Sequence, residues 1–208
     1  MSSAVTRDAE GTVTGNTYDK YGSTNPVVKR LMAGFERTLD ELFAKAAPKS
    51  LLDVGCGEGV LTQRWAAGMD GRVVGIDLED PSIQAEWEQR KAPNLEYKIM
   101  KAERMPFADA EFDVATAIEV LEHVPEPEAT LSEMARVARR HLLVSVPREP
   151  LWRGLNMARG AYLRQLGNTP GHVNHWSKGR FLDFANSHGT IEAVRSPFPW
   201  TMVLVRTA

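Results

Sequence analysis

The sequence predicts an α/β protein built on a doubly wound sheet of seven strands, mostly parallel with the last strand antiparallel, and with helices on both faces. Three observations predict it. Short runs rich in Val, Ile and Leu alternate with stretches of helical periodicity along most of the chain, the pattern of a sheet assembled from strand–helix units. One run, Leu51-Leu52-Asp53-Val54, passes directly into three alternating glycines, Gly55, Gly57 and Gly59, and then into a helical pattern at Val60, Leu61, Arg64, Trp65 and Ala66. A second run, Arg72 to Asp77, ends in an acid 22 residues after Gly55. That is near the offset at which a carboxylate beyond the second strand of such a sheet reaches a ribose hydroxyl.

The elements follow in order. Residues 1–16 hold Ser, Thr, Gly and charges without apolar periodicity, so a flexible tail is expected there and a single domain over residues 17–208. Tyr18 and Tyr21 stand in a polar segment read as a lid over a ligand. From Pro26, which suits a first helical turn, apolar residues recur at Val28, Leu31, Met32, Phe35, Leu39, Leu42 and Phe43 and predict a helix over 26–45. The glycine loop leads to a helix over about 59–67, and Val73 to Asp77 is the second strand. A helix from Pro81 to about Arg90 and a turn at Pro93-Asn94 lead to a third strand over Leu95 to Ile99.

Phe112 to Ala117 is the fourth strand, ending at Ile118-Glu119. A strand end beside the first strand is where an open α/β sheet reverses its order and binds ligands, and His123 falls there too. Pro125 and Pro127 open a helix with Leu131, Met134, Ala135 and Ala138 facing inward, and His141 to Pro147 is the fifth strand. Residues 148–176 break the regular pattern and are read as a substrate-side insertion carrying a short helix from about Arg153 to Leu166. A helix from about Lys178 to Ser187 and strands over 191–196 and 202–206 complete the sheet, the last two joined at Pro197 and Pro199 and paired antiparallel.

Composition narrows the function. The chain of 208 residues, 43% hydrophobic and 25% charged, is ordinary for a folded domain. With 25 basic and 27 acidic residues its net charge is −2, so no global basic field draws nucleic acid. The single cysteine, Cys56, forms no internal disulfide, and neither a signal pattern nor an apolar run of membrane-spanning length is present. A cytoplasmic protein without stable membrane insertion is expected.

At the strand-to-helix turn, glycines take positive φ without strain and let a ligand approach the main chain beside the free N–H groups of the helix start. The loop Asp53-Val54-Gly55-Cys56-Gly57-Glu58-Gly59 resembles the cofactor loop of the class I S-adenosylmethionine-dependent methyltransferases, and Gly75-Ile76-Asp77 resembles their ribose-binding acid. Met105-Pro106-Phe107 with Phe112-Asp113, and Glu119-Val120-Leu121-Glu122-His123-Val124, are similar to the family's approach to and exit from the fourth strand. The resemblance runs from about Tyr18 to Val205 and implies a Rossmann-like sheet. It implies that S-adenosyl-L-methionine is the cofactor and S-adenosyl-L-homocysteine the product. By the same resemblance Gly55 and Gly57 hold the methionine end, Asp77 the ribose hydroxyls, Leu78 one face of the adenine, and Ala102 and Glu103 its edge. Asp53, Cys56, Gly59, Ile118, Glu119 and Tyr21 complete the expected cofactor set. Lys101 departs from the family, many of whose members carry an acid there; a lysine cannot accept from the adenine amino group.

The resemblance leads to methyl transfer to oxygen, or next to nitrogen, of a small-molecule acceptor. A hydroxyl acceptor must lose its proton, and an imidazole suits that task at neutral pH. His123, His172 and His175 are the candidates, the last two three residues apart and so on one face if their segment is helical. Two histidines without a third ligand fall short of a metal site, and no metal is expected. Cys56 is read as a small residue in a cramped turn rather than a nucleophile. Trp152, Trp176, Met157 and Tyr162 are read as an apolar acceptor wall, and Arg148, Arg153, Arg159 and Arg164 as cations facing it. That wall suits a natural-product, sugar-containing, quinone or lipid-precursor acceptor. Two other readings stay open: a non-catalytic binding module, favoured by Lys101, and a nicotinamide-dependent oxidoreductase, disfavoured because Gly59 follows Gly57 by two residues rather than three.

Overall fold

The computed structural model describes residues 25–207, together with Thr6–Arg7 and Val13–Thr14, which pair antiparallel. The rest of the expected tail and lid, Tyr21 included, lies outside the described residues. Seven strands form one sheet among the described residues: β1 (Leu51–Val54), β2 (Val73–Asp77), β3 (Leu95–Ile99), β4 (Phe112–Ile118), β5 (Ala138–Pro147), β6 (Thr190–Arg195) and β7 (Trp200–Arg206). Their spatial order is β3-β2-β1-β4-β5-β7-β6. The first five run parallel, and β7 runs antiparallel between β5 and β6. The order reverses between β1 and β4, which brings the glycine loop and the Ile118-Glu119 turn side by side.

Alternation along the strands divides the core in two. Leu51, Val73, Val114 and Leu143 face one side, while Leu52, Val74, Ala115 and Leu142 face the other. The first side is covered by helix α1 (Pro26–Ala46), whose Met32, Phe35, Leu39, Leu42 and Ala46 form one buried stripe, and by Trp65 and Ala66 of α2 (Val60–Ala67). Asn25 caps α1, its Oδ1 accepting from the Val27 N–H at 2.9 Å. The opposite side carries Leu131, Met134 and Val137 of α4 (Pro127–Val137) and Phe181, Phe184 and Ala185 of α6 (Lys178–Asn186). Helix α3 (Pro81–Gln89) links β2 to β3 and is capped by Asp80.

Two boundaries differ from the sequence reading by more than the one or two residues seen at other element ends. Ala138 is not a helical position: its backbone is extended, and it opens β5 opposite Phe112. The insertion helix α5 runs from Leu151 to Ala158 instead of reaching Leu166, and a separate 3-10 turn covers Leu163–Gln165. Gly160, Tyr162 and Leu166 all take positive φ, and Ala161 N–H bonds back to Asn156 O at 2.8 Å, so the helix ends before that turn begins.

Candidate active site

β1 delivers Val54 into a turn in which two glycines have different tasks. Gly55 (φ 67°) packs on Val120: a Cβ there would lie 2.5 Å from Val120 Cγ2. Gly57 (φ 53°) faces open space, with nothing within 4 Å of where its Cβ would be. The loop is held from behind. Ile76 O accepts from both Gly55 N–H and Cys56 N–H, at 2.8 and 3.0 Å. Trp87 Nε1–H donates to Gly57 O at 2.8 Å, and the indole stacks on Tyr97 at 5.0 Å. From β2, Asp77 accepts from Gly57 N–H through Oδ2 at 2.6 Å and from Leu78 N–H through Oδ1 at 2.7 Å.

Beneath the loop, Asp53 sits on the face covered by α2 and accepts from Thr62 Oγ1–H at 2.6 Å and from Thr116 Oγ1–H at 2.8 Å. Burial pushes its carboxyl up to about 6, because two hydroxyls offset only part of the lost hydration. Asp77 is raised by burial as well, against the pull of its two N–H donors. Burial, and then the carboxylates of Asp77 and Asp53, push the Cys56 thiol well up. A neutral, half-buried thiol is a poor nucleophile.

The loop opens on a cavity of about 660 Å³. Asp53, Gly55, Cys56, Gly57, Asp77, Leu78, Ala102, Glu103, Ile118 and Glu119 all line it, as does Lys101. Gly59 does not; it lies behind the loop, its carbonyl accepting from Tyr97 O–H at 3.2 Å. Sheet order puts the β2 and β3 ends on one side of the cavity and the β4, β5 and β7 ends on the other. On the second side Glu119 adopts a left-handed backbone (φ 61°). Its Oε1 accepts from Ser145 Oγ–H at 2.9 Å and its Oε2 from Trp200 Nε1–H at 2.6 Å.

Of the three histidines, His123 and His172 line the cavity, with rings 4.8 Å apart and edge to face. His175 stands apart, exposed and bonded through Nε2 to Asn168 Oδ1 at 2.9 Å. The segment 168–176 is not helical, so the three-residue spacing does not put His172 and His175 on one face. Trp152 and Tyr162 line the cavity, whereas Trp176 packs on Phe181 and Phe184 and Met157 faces solvent. Arg159 is the lining member of the four arginines; Arg153 Nε–H instead donates to Leu166 O at 2.9 Å.

Trp200, Asn156 and Thr169 are among the lining residues that escaped the sequence reading, as are Met100, Leu155 and Ala158. Trp200 had a signal. It begins the strand that runs antiparallel to the rest, so it lies at their carboxyl ends, paired with Pro147. Asn156, buried on α5, donates from Nδ2 to Gly167 O at 2.8 Å and to Thr169 Oγ1 at 3.1 Å, a long-range arrangement without a local signature.

Residues 52–143 match the family described as "Methyltransferase domain". A ubiquinone biosynthesis O-methyltransferase of Methylococcus capsulatus is 30% identical over 162 residues, covering 69% of this chain and 67% of that protein. The chain belongs to the class I S-adenosylmethionine-dependent methyltransferases. A second methyltransferase relative, the ubiquinone biosynthesis O-methyltransferase of Thiobacillus denitrificans, is 38% identical over 101 residues. That match spans 46% of this chain and 42% of the relative's length. The magnesium protoporphyrin IX methyltransferase of Synechocystis PCC 6803, solved with S-adenosylhomocysteine, shares the methyltransferase fold. Its TM-score is 0.64 at 18% identity, over 90% of each chain. Among the described residues no helix is long and apolar enough to cross a membrane.

Proposed function

We propose that the protein transfers a methyl group from S-adenosyl-L-methionine to an oxygen of a small, partly apolar acceptor. One observation carries the reading: the Gly57 amide, pinned by Asp77 beside open space, faces a cavity whose far wall holds His123, His172, Trp152 and Trp200. These residues suit the cofactor. Each Asp77 oxygen that accepts an N–H keeps a second lone pair for a ribose hydroxyl. Leu78 and Ala102 offer an apolar slot for the base, and the open space at Gly57 suits the methionine end.

When bound, the sulfonium supplies a methyl carbon for direct displacement, and the bonding electron pair stays on sulfur. The work left to the protein is alignment. Holding two reactants in register lowers a barrier by about 7 to 11 kcal/mol, whereas a positioned base contributes roughly 3 to 5 kcal/mol. Trp152, Tyr162 and Trp200 hold the acceptor's apolar body, and His123 and His172 meet its hydroxyl. The relatives' description as O-methyltransferases supports oxygen as the acceptor atom.

Incubation with methyl-labelled cofactor and a panel of hydroxylated aromatics tests this: label recovered as a methyl ether supports it. Cofactor binding with no transfer to any acceptor favours a non-catalytic binding module, the reading to which Lys101 points. Within an active preparation, His123→Ala should lower turnover by about 10²-fold or more, the lower end of what assisting the hydroxyl's deprotonation contributes.

A further inference from the structure

The turn that leaves β4 and the loop over 169–174 are laced together, and the lacing brings three metal-ligand types to one point. Glu122 O accepts from Val173 N–H at 2.9 Å and Asn174 N–H at 3.0 Å, while Asn174 Nδ2–H donates to Leu121 O and Val124 O at 2.9 and 2.7 Å. Across this seam Glu122, His123 and His172 each offer one ligand atom, all within 4.8 Å of one another. Glu122 and His172 are buried, and His172 stacks against Trp152, itself tied to Thr169 Oγ1 through Nε1–H at 2.9 Å.

We propose that Glu122, His123 and His172 bind a zinc-class divalent cation at the acceptor wall of the cavity. The ligand chemistry favours it. One carboxylate and two imidazoles make a three-ligand set typical of zinc sites that keep a fourth position open. His123 Nδ1 lies 3.1 Å from Gly171 O; a carbonyl only accepts, so Nδ1–H is the donor of this bond and Nε2 is the lone-pair nitrogen of the ring. A ligating histidine that donates its other N–H to a backbone carbonyl is the usual support that fixes ring orientation. An ion with bonds of about 2.1 Å holds tetrahedral ligand atoms roughly 3.4 Å apart, so side-chain adjustment of about an ångström completes the set.

The placement gives the ion a task. His123 and His172 line the cavity and Glu122 does not, so the open position faces the space assigned to the acceptor. A hydroxyl oxygen bound there becomes more acidic, loses its proton to water, and attacks the methyl carbon as the carbon–sulfur bond breaks with its electrons left on sulfur. This role rests on the reading of the cavity as a methyl-transfer site, but binding of the ion does not.

The test is metal binding by the whole protein. Zn²⁺ titrated into chelator-treated protein should bind one equivalent, and Co²⁺ should give the visible absorption of a four-coordinate site. Glu122→Gln and His172→Ala should each weaken Zn²⁺ by at least about tenfold, the size of loss seen when even an outer partner of a ligand is removed. S-adenosylhomocysteine affinity should stay within about twofold of wild type in both variants, which also certifies that they are folded. Folded wild-type protein that binds S-adenosylhomocysteine but no stoichiometric Zn²⁺ overturns the metal site and leaves the methyltransferase reading standing. Both variants binding Zn²⁺ as tightly as wild type overturns it too. Zn²⁺ bound at one equivalent without any cofactor binding sinks the methyltransferase reading alone.

Discussion

Asp77 at the end of β2 accepts a 2.6 Å hydrogen bond from the Gly57 amide beyond the end of β1, so the acid that follows one strand closes the glycine loop that follows its neighbour. The two glycines flanking Cys56 should therefore respond differently to substitution. Gly57→Ala, strained only by its backbone, should cost about 1 to 2 kcal/mol of stability and weaken cofactor binding by far more, because its Cβ enters the open space. Gly55→Ala adds the clash with Val120 and should unfold at markedly lower denaturant. Urea melts of both variants, alongside cofactor titrations, check the contrast; equal stability losses would contradict the assignment of tasks.

Asp53 makes stability depend on pH. Its folded carboxyl titrates at about 6 against an ordinary 3.8, so the native state holds the proton more tightly than the unfolded chain. Stability is therefore greatest below the unfolded value and declines as pH rises towards 6, by about 3 kcal/mol in all. Asp53→Asn removes that decline. Urea unfolding at intervals between pH 4 and 7 should show a shallower loss in the variant than in wild type. An unchanged slope would place the titrating group elsewhere.

Glu119 joins β4 to β5 and β7 through the Ser145 hydroxyl and the Trp200 indole. Glu119→Ala leaves both buried donors without this acceptor, at about 1 to 3 kcal/mol each. The melting temperature should fall clearly. Glu119→Gln, whose amide oxygen serves one donor but whose NH2 opposes the other, should lie between the two. A Glu119→Ala protein as stable as wild type would show that these bonds contribute nothing.

Much of the fold was legible because its signals are local. Leu51 to Val54 and His141 to Pro147 are rich in adjacent apolar residues, as in a sheet covered on both faces, and the glycine loop marks the turn at its switch point. The insertion was harder. Helical periodicity carried the reading past Ala158, because left-handed backbone at Tyr162 and Leu166, residues that seldom adopt it, leaves no mark in composition. The meeting of His172 with His123 is a contact between a turn and a loop 49 residues further on, laced by Asn174 and by main-chain groups. Spacing along the chain pointed to His175 as the neighbour of His172, and tertiary structure supplied Glu122 and His123 instead.

The central claim is that the Gly57–Asp77 corner holds the cofactor. Calorimetric titration of S-adenosylhomocysteine into wild-type and Asp77→Ala protein tests it most directly. Wild type should bind one equivalent, and the variant should bind roughly 10- to 100-fold more weakly, as expected for losing hydrogen bonds to a charged acceptor. No binding to folded wild-type protein, or equal affinity in the two, would contradict it.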